Sequence, residues 1–510
     1  MNTYITTPIY YASGSPHLGH AYTTLLADAY GRFRKLQGDE VLLLTGTDEH
    51  GQKIERTALR RGIAVESFVD GISAEFRALW RDLEIDVDIF QRTTDHQHKD
   101  VVLTFWQSLK DKDDIYQGDY SGLYCVECEQ YFTAGSHCPV HRVELEQFSE
   151  RCWFFRLSKY QQELISHIEA NPSFIVPVQR RNEVLSFLKL NPLRDLAVSR
   201  GSTQWGIPVP GDQDPQTNGH VLYVWVDALV TYLSGLDAAI EPEALPDWWS
   251  GTRHFIGKDI LIFHAVYWPA LLLSAGYSLP ASLVVNGWLT VESEKISKSR
   301  PATVIDPREL ADEVGTDGLR HYLFSRVSLG QDLDFSLEQV VEVVNTDLAN
   351  NIGNLVSRVV GLVKKYEGGV LTAPPVALIE NPSNKSGSEL SALSHKTAEE
   401  FAGYLNDYEF AHASRTVVTL SSGINAWLQQ REPWKLDDAD ARWEVLWQAC
   451  TALADLSILL TPLVPGIAGR IRSALGLSRI VSWTDLHLPK ERFDVDLEGP
   501  VFQRREKAEN

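Results

Sequence analysis

The chain has 510 residues, too many for one ordinary core and enough for about three or four domains. Apolar residues make up 44% and charged residues 23%, the balance of a soluble globular protein and not of a fibrous or disordered one. Its 47 Lys and Arg against 68 Asp and Glu give a net charge of −21, which excludes a uniformly basic nucleic-acid binder but leaves room for a local basic stripe.

No run of about 18 apolar residues is present, so no membrane span is expected. Met1-Asn2-Thr3-Tyr4-Ile5 lacks the basic stretch, apolar run and cleavage site of a signal peptide, which points to the cytoplasm. Three of the five cysteines crowd into positions 125 to 138, and in a reducing compartment such a cluster suggests a metal more than disulfides. Met1 is the only methionine of the chain.

In chain order, Tyr4 to Tyr11 predicts a β-strand. Gly14, Ser15 and Pro16 then read as a turn, an N-cap and a first helical residue. Leu18, Tyr22, Leu25, Leu26, Ala29 and Phe33 recur at helical spacing. Val41 to Leu44 predicts a second strand, ending at Thr45-Gly46-Thr47-Asp48. Strand, helix, strand in this order opens an α/β, doubly wound parallel sheet of Rossmann type, its first half in 1–111.

Residues 112–222 break that rhythm and read as an inserted domain. It holds the cysteine cluster, the aromatic run Cys152-Trp153-Phe154-Phe155 and the Pro-rich Trp205 to Pro210. The α/β pattern resumes over Val221 to Trp225, His254 to Phe263 and Leu283 to Asn286, so 223–285 is expected to be the second half of the sheet domain. Residues 286–340 carry a lysine-rich loop. From Leu337 the periodicity is helical, as in Leu348, Ile352, Leu355, Val356, Val359 and Val360, which predicts a helical bundle over 341–489. Within it Gly368 to Ser388 reads as a loop between helices, and 490–510 as a charged, mobile tail.

Four motifs carry chemistry. Pro16-His17-Leu18-Gly19-His20 opens a helix, where unpaired N–H groups and partial positive charge suit phosphate, and Gly19 lets a nucleotide approach the backbone. Two surface histidines near a helix start are the alternative. Glu294-Lys295-Ile296-Ser297-Lys298-Ser299-Arg300 offers two lysines that can clamp a triphosphate, or forms a solvated basic loop. Cys125-Val126-Glu127-Cys128 and Cys138-Pro139-Val140-His141 are spaced for one tetrahedral Zn2+ from three thiolates and an imidazole. Four protein ligands close such a site, so its zinc is structural, and it would supply the folding energy of a knuckle spanning about 122–145. Asn354 and Arg358 lie four apart on one helix face, and Trp434 follows a helix break at Arg431-Glu432-Pro433. Read alone, those three residues fit a helix-surface pair and a packing aromatic better than a recognition site.

Taken together the segments are more specific. Thr7-Pro8-Ile9-Tyr10-Tyr11 through His20, Thr45-Gly46-Thr47-Asp48-Glu49-His50-Gly51, Tyr223-Val224-Trp225-Val226-Asp227-Ala228 and His254-Phe255-Ile256-Gly257-Lys258-Asp259-Ile260 resemble the methionyl-tRNA synthetase family of class I enzymes, over nearly the whole chain. The resemblance implies an ATP-dependent methionine–tRNA ligase with a single zinc knuckle and a helical anticodon-binding domain. It implies that His17, His20, Lys295 and Lys298 act on the reacting phosphates, and that Gly19, Gly257 and Asp259 contact ATP. It puts Ile9, Tyr11, Trp225, Ala228, Tyr232 and His264 around the methionine side chain, with Asp48 receiving the α-amino group. Asn354, Arg358 and Trp434 are then anticodon readers, 286–340 contacts the tRNA stem, and Mg2+ accompanies ATP. The implied partners are ATP, L-methionine and initiator and elongator tRNA(Met). A monomer is expected, since the extra tRNA-binding dimerisation domain of some relatives is missing. Pro301 stands where the family has Gly after Arg300, and the inserted domain is too small for a separate editing site. A paralogue acting on another amino acid or acceptor, and an inactive tRNA-binding protein, are the rival readings.

Overall fold

The computed structural model describes residues 1–126, 130–132, 135–139, 142–291, 294–295, 304–373, 385–478 and 480–506, apart from the side chains of 130–132, 148, 294–295 and 385–388. The chain opens with β1 (Asn2–Tyr11), α1 (Leu18–Leu36), β2 (Glu40–Asp48), α2 (Gln52–Arg61), α3 (Val65–Asp82), β3 (Ile89–Arg92) and α4 (His96–Asp111). The inserted stretch adds β4 (Ile115–Cys125), β5 (Gln130–Phe132), β6 (Glu146–Phe155), α5 (Gln161–Ala170), β7 (Ile175–Val176), α6 (Val178–Leu190), β8 (Leu196–Ala197), β9 (Ser199–Arg200) and β10 (Val221–Leu222). Next come α7 (Val224–Asp237), β11 (Arg253–Gly257) and β12 (Ser282–Asn286).

Six strands form one parallel sheet in the order β3-β2-β1-β11-β12-β7. Growth outward from β1 in both directions makes the sheet doubly wound, with its switch point between β1 and β11. Alternate residues of β1 face opposite sides. Ile5 packs with Leu25, Ala29 and Phe33 of α1, while Tyr4 and Ile9 pack with Phe105 of α4, Leu229 of α7 and Trp268. The register between β1 and β2 shifts between Thr6 and Ile9, around Pro8, whose missing N–H cannot join a ladder.

β7 shows that the inserted stretch is not wholly separate, because Ile175 and Val176 return to pair with Leu283 and Val284 of the parallel sheet. The rest of it is built on the antiparallel sheet β5-β4-β6-β8. The α-helix following β1 begins at Leu18 with His17 as N-cap, not at Pro16 with Ser15. A seryl hydroxyl next to proline matched the usual cap pattern, but the imidazole of His17 takes that place. Only Val221 and Leu222 of the stretch Val221 to Trp225 are strand, and they pair with β9; the remainder starts α7.

Beyond Leu337 the chain is helical: Asn354–Glu367, Lys385–Asn406, Phe410–Arg431, Ala439–Leu460 and Pro465–Ala474 pack together and continue the core on the α1 side of the sheet. Within Gly368 to Ser388, Val370–Thr372 is a strand that pairs with Arg492–Asp494, and a helix begins at Lys385; 374–384 lie outside the described residues. The tail is therefore docked at its start, and Val501 and Phe502 are buried as well. Among the described residues, Ala439–Leu460 is long and apolar enough to cross a membrane, but two-thirds of its apolar window (67%) is buried inside the protein, the pattern of a core helix.

Candidate active site

The candidate site lies where parallel strands end at the switch point. Tyr11 and Asp48, the last residues of β1 and β2, are register partners, as are Ile9 and Gly46. A Cβ on Gly46 would stand 1.9 Å from the Gln91 carbonyl oxygen, so only glycine lets β2 and β3 approach there. On the other side of the switch, Gly257 ends β11, and the exposed Asp259 accepts a 3.3 Å hydrogen bond from the Trp288 indole. A side chain on Gly257 would meet the Asp259 carboxylate at 2.6 Å.

The N-terminus of α1 faces this site with a capping box built from two histidines. His17 Nδ1 accepts from the Gly19 N–H at 3.1 Å, and His20 Nδ1 accepts from the His17 N–H at 3.0 Å. The two rings stack with centroids 3.7 Å apart. With both Nδ1 atoms accepting, the neutral rings carry their protons on Nε2. Gly19 has a second purpose beyond backbone approach: a Cβ there would lie 3.0 Å from the His17 ring.

The residues expected around the amino-acid side chain come largely from α7 and the segment after β11. Trp225, Ala228 and Tyr232 follow one helical face at i, i+3 and i+7. Trp225 stacks on Phe263 with centroids 3.7 Å apart and meets the His264 ring edge-on. Phe263–Tyr267 forms a widened π-type turn, a feature frequent at functional sites, which turns His264 inward. His264 Nδ1 donates to the Ile260 carbonyl at 3.0 Å, so Nε2 accepts from the Tyr232 hydroxyl at 2.7 Å. Burial lowers the His264 pKa to about 4, so the ring is neutral at physiological pH and the direction of this chain is fixed. Ile9, Asp48, Ala228, Tyr232 and His264 are all buried.

Two further clusters beside the pocket are missing from the sequence reading. Glu49, fully buried, accepts from Arg92 Nε at 2.7 Å and from the Thr47 hydroxyl at 2.6 Å, and Trp205 of the inserted stretch donates its indole N–H to the Glu49 carbonyl. Asp227 sits between His50 Nδ1 at 2.6 Å and His98 Nε2 at 2.7 Å. Desolvation alone would raise the Asp227 carboxyl, but the charge and hydrogen bonds of His50 and His98 prevail and pull it down to about 2. Apart from Thr47, two residues from Glu49, these partners are separated by 43 to 177 residues in sequence, and no local pattern signals them.

Lys298, Ile296 and Arg300 to Thr303 lie outside the described residues. Both flanks of that loop are anchored: the Lys295 backbone pairs with Thr290, and the Ile305 carbonyl accepts from the Leu18 N–H at 3.0 Å. The second anchor ties Ile305, five residues beyond Arg300, to the first turn of the histidine helix.

In the knuckle, Cys125 and Cys138 are buried and pack in one small cluster with Leu145. Cys128 and His141 lie outside the described residues. The Arg142 N–H closes a turn on the Cys138 carbonyl at 2.8 Å. In the helical part, the Arg358 guanidinium lies 4.6 Å over the Trp434 ring and donates to Gln429 at 2.7 Å, with Asn354 exposed one turn earlier.

A family model described as tRNA synthetases class I (M) matches residues 3–152 and 134–360. The methionine–tRNA ligase of Nostoc sp. is 40% identical, the alignment covering 99% of this chain and 98% of that one. The methionine–tRNA ligase of Caldanaerobacter subterraneus is 37% identical over 99% of this chain and 78% of its own. In three dimensions the chain is similar to Mycobacterium tuberculosis methionyl-tRNA synthetase bound by methionyl-adenylate, with a TM-score of 0.91, 33% identity, and 99% and 100% of the two chains covered.

Proposed function

This chain belongs to the methionine–tRNA ligases of the class I aminoacyl-tRNA synthetases, and from that membership we propose how its residues divide the work. The enzyme activates methionine with ATP and transfers the methionyl group to the 3′ end of tRNA. In the first step a methionine carboxylate oxygen attacks the α-phosphorus, and pyrophosphate departs with the bonding electrons. In the second, a ribose hydroxyl of the tRNA attacks the acyl carbon, loses its proton, and AMP leaves. Neither step requires a protein nucleophile, so catalysis is positioning and charge stabilisation.

Asp48 receives the α-ammonium at the end of β2, opposite Tyr11. Ile9, Tyr11, Trp225, Ala228, Tyr232 and His264 enclose the side chain; aromatic and aliphatic walls suit a polarizable thioether. Because Tyr232 donates its only proton to a neutral His264, its oxygen can still accept a hydrogen bond but cannot supply another. His17 and His20 present Nε2–H donors to phosphate oxygens, and Lys295 and Lys298 follow the charge as pyrophosphate leaves. Gly19, Gly257 and Asp259 hold the nucleotide. Mg2+ accompanies ATP and screens its phosphates. A structural Zn2+ is held by Cys125 and Cys138, whose buried juxtaposition suits two thiolate ligands, together with Cys128 and His141. Arg358, Trp434 and Asn354 read the anticodon of tRNA(Met), initiator and elongator alike, and the enzyme works in the cytoplasm.

The observation that carries this assignment is the histidine capping box at the switch point of a parallel sheet, beside the buried Tyr232–His264 chain. It is tested by incubating the purified chain with ATP and radiolabelled methionine, with and without tRNA(Met). Methionyl-adenylate should form in both cases and methionyl-tRNA only in the second. Adenylate with no transfer would leave an activating enzyme for some other acceptor; no adenylate would remove the assignment.

A further inference from the structure

Two walls of the proposed methionine pocket come from segments that share no backbone pairing: Asp48 ends β2, while Trp225 and Ala228 open α7. Their link is the side chain of Asp227. One carboxylate oxygen faces His50, two residues past Asp48, and the other faces His98 on α4. His98 Nδ1 lies 2.7 Å from the hydroxyl of Ser234, seven residues and two turns further along α7. His50, His98, Asp227 and Ser234 are all buried.

A carboxylate has only acceptors, so both imidazoles must donate to it, His50 from Nδ1 and His98 from Nε2. That fixes which ring nitrogen carries a proton toward Asp227 and the orientation of both rings. Asp227 and Ser234 share one face of α7, and His98 grips that face; Trp225, Ala228 and Tyr232 form another. A buried carboxylate left without donors is costly, so the clamp is stiff and tolerates little drift of α7 against β2.

Resting on the reading of Asp48 and Trp225 as methionine contacts, we infer that Asp227, clamped between His50 and His98, is a positioning residue that sets the spacing between them and hence the enzyme's affinity for the amino acid. Asp227 itself touches no substrate. Its effect falls on methionine and not on ATP, because the first turn of the histidine helix is held separately, by the Leu18 N–H on the Ile305 carbonyl, apart from the clamp.

The test uses the full chain in ATP–pyrophosphate exchange, with KM for methionine and for ATP measured separately. Removing one donor from a buried carboxylate in His50→Ala should raise KM for methionine about tenfold or more and leave KM for ATP within about twofold. His50→Asn places an amide N–H where Nδ1–H stood and should restore most of the methionine affinity. His98→Gln does the same for Nε2 and should rescue relative to His98→Ala. Parallel rises in both KM values, or no rise for methionine, would overturn the inference. So would alanine variants that fail to fold beside amide variants of normal KM, since the clamp would then serve stability alone. A wild-type enzyme that shows no methionine-dependent exchange would strike the ligase assignment itself, a distinguishable outcome.

Discussion

Tyr11 and Asp48 stand opposite each other at the last rung of two parallel strands, in a register that follows the shift around Pro8, three residues before Tyr11. The shift brings Ile9 opposite Gly46, where no side chain separates β2 from Gln91 of β3.

Gly46→Ala is therefore expected to damage fold and site together. Its methyl group would collide with backbone, which cannot step aside as a flexible side chain can. Overpacking of this kind costs about 3 kcal/mol. Denaturant unfolding should show that loss, with a raised KM for methionine in whatever folds; a variant of wild-type stability would mean that β2 and β3 are not so closely apposed.

Much of the architecture is written locally. The 3.6-residue period of Leu18 to Phe33 gives α1, and the strand–helix–strand order gives the sheet class. Other features depend on distant partners. Ser15 beside Pro16 looks like a cap, yet the helix starts at His17, whose imidazole competes for the same N–H groups. The apolar, aromatic-rich run at Val221 to Trp225 suits a strand, but packing of Trp225, Ala228 and Tyr232 draws its end into a helix. Ile175 and Val176 are too short a strand to signal a return to the sheet. The candidate site residues could be named from the sequence because the motifs that carry them are short contiguous segments. The Asp227 clamp could not, since its histidines lie 129 and 177 residues away.

The His264 ring gives a pH dependence of stability. Its folded pKa, about 4, lies below the ordinary value of 6.5, because burial disfavours the cation. Between those values the unfolded state binds the extra proton, so stability is full above about pH 6.5 and declines as pH falls toward 4, by about 3 kcal/mol. Chemical denaturation at stepped pH should show the decline, and His264→Asn, which keeps a donor to Ile260 but cannot titrate, should make it shallower, the remainder belonging to other buried histidines such as His254. An unchanged slope in the variant would mean that His264 is not the titrating group.

Trp434→Ala should weaken tRNA charging by about 1 to 3 kcal/mol, the worth of a base stacked on an aromatic face. Methionine activation should stay close to wild type, because the Arg358–Trp434 pair belongs to the helical part of the chain and not to the sheet domain. Equal loss in both assays would make Trp434 a packing residue.

Cys138→Ser should release the single zinc ion and abolish transfer to tRNA, while pyrophosphate exchange suffers less. Metal analysis of the freshly purified wild-type protein should find one zinc per chain. A count near zero would eliminate the knuckle as a metal site and leave Cys125 and Cys138 as small core residues.

The central claim is that this site activates methionine in particular, and amino-acid-dependent ATP–pyrophosphate exchange across the twenty standard amino acids tests it most directly. Methionine should drive exchange far above every other amino acid, and Lys298→Ala should nearly abolish it. Stronger exchange with a different amino acid, or none with any, would contradict the account.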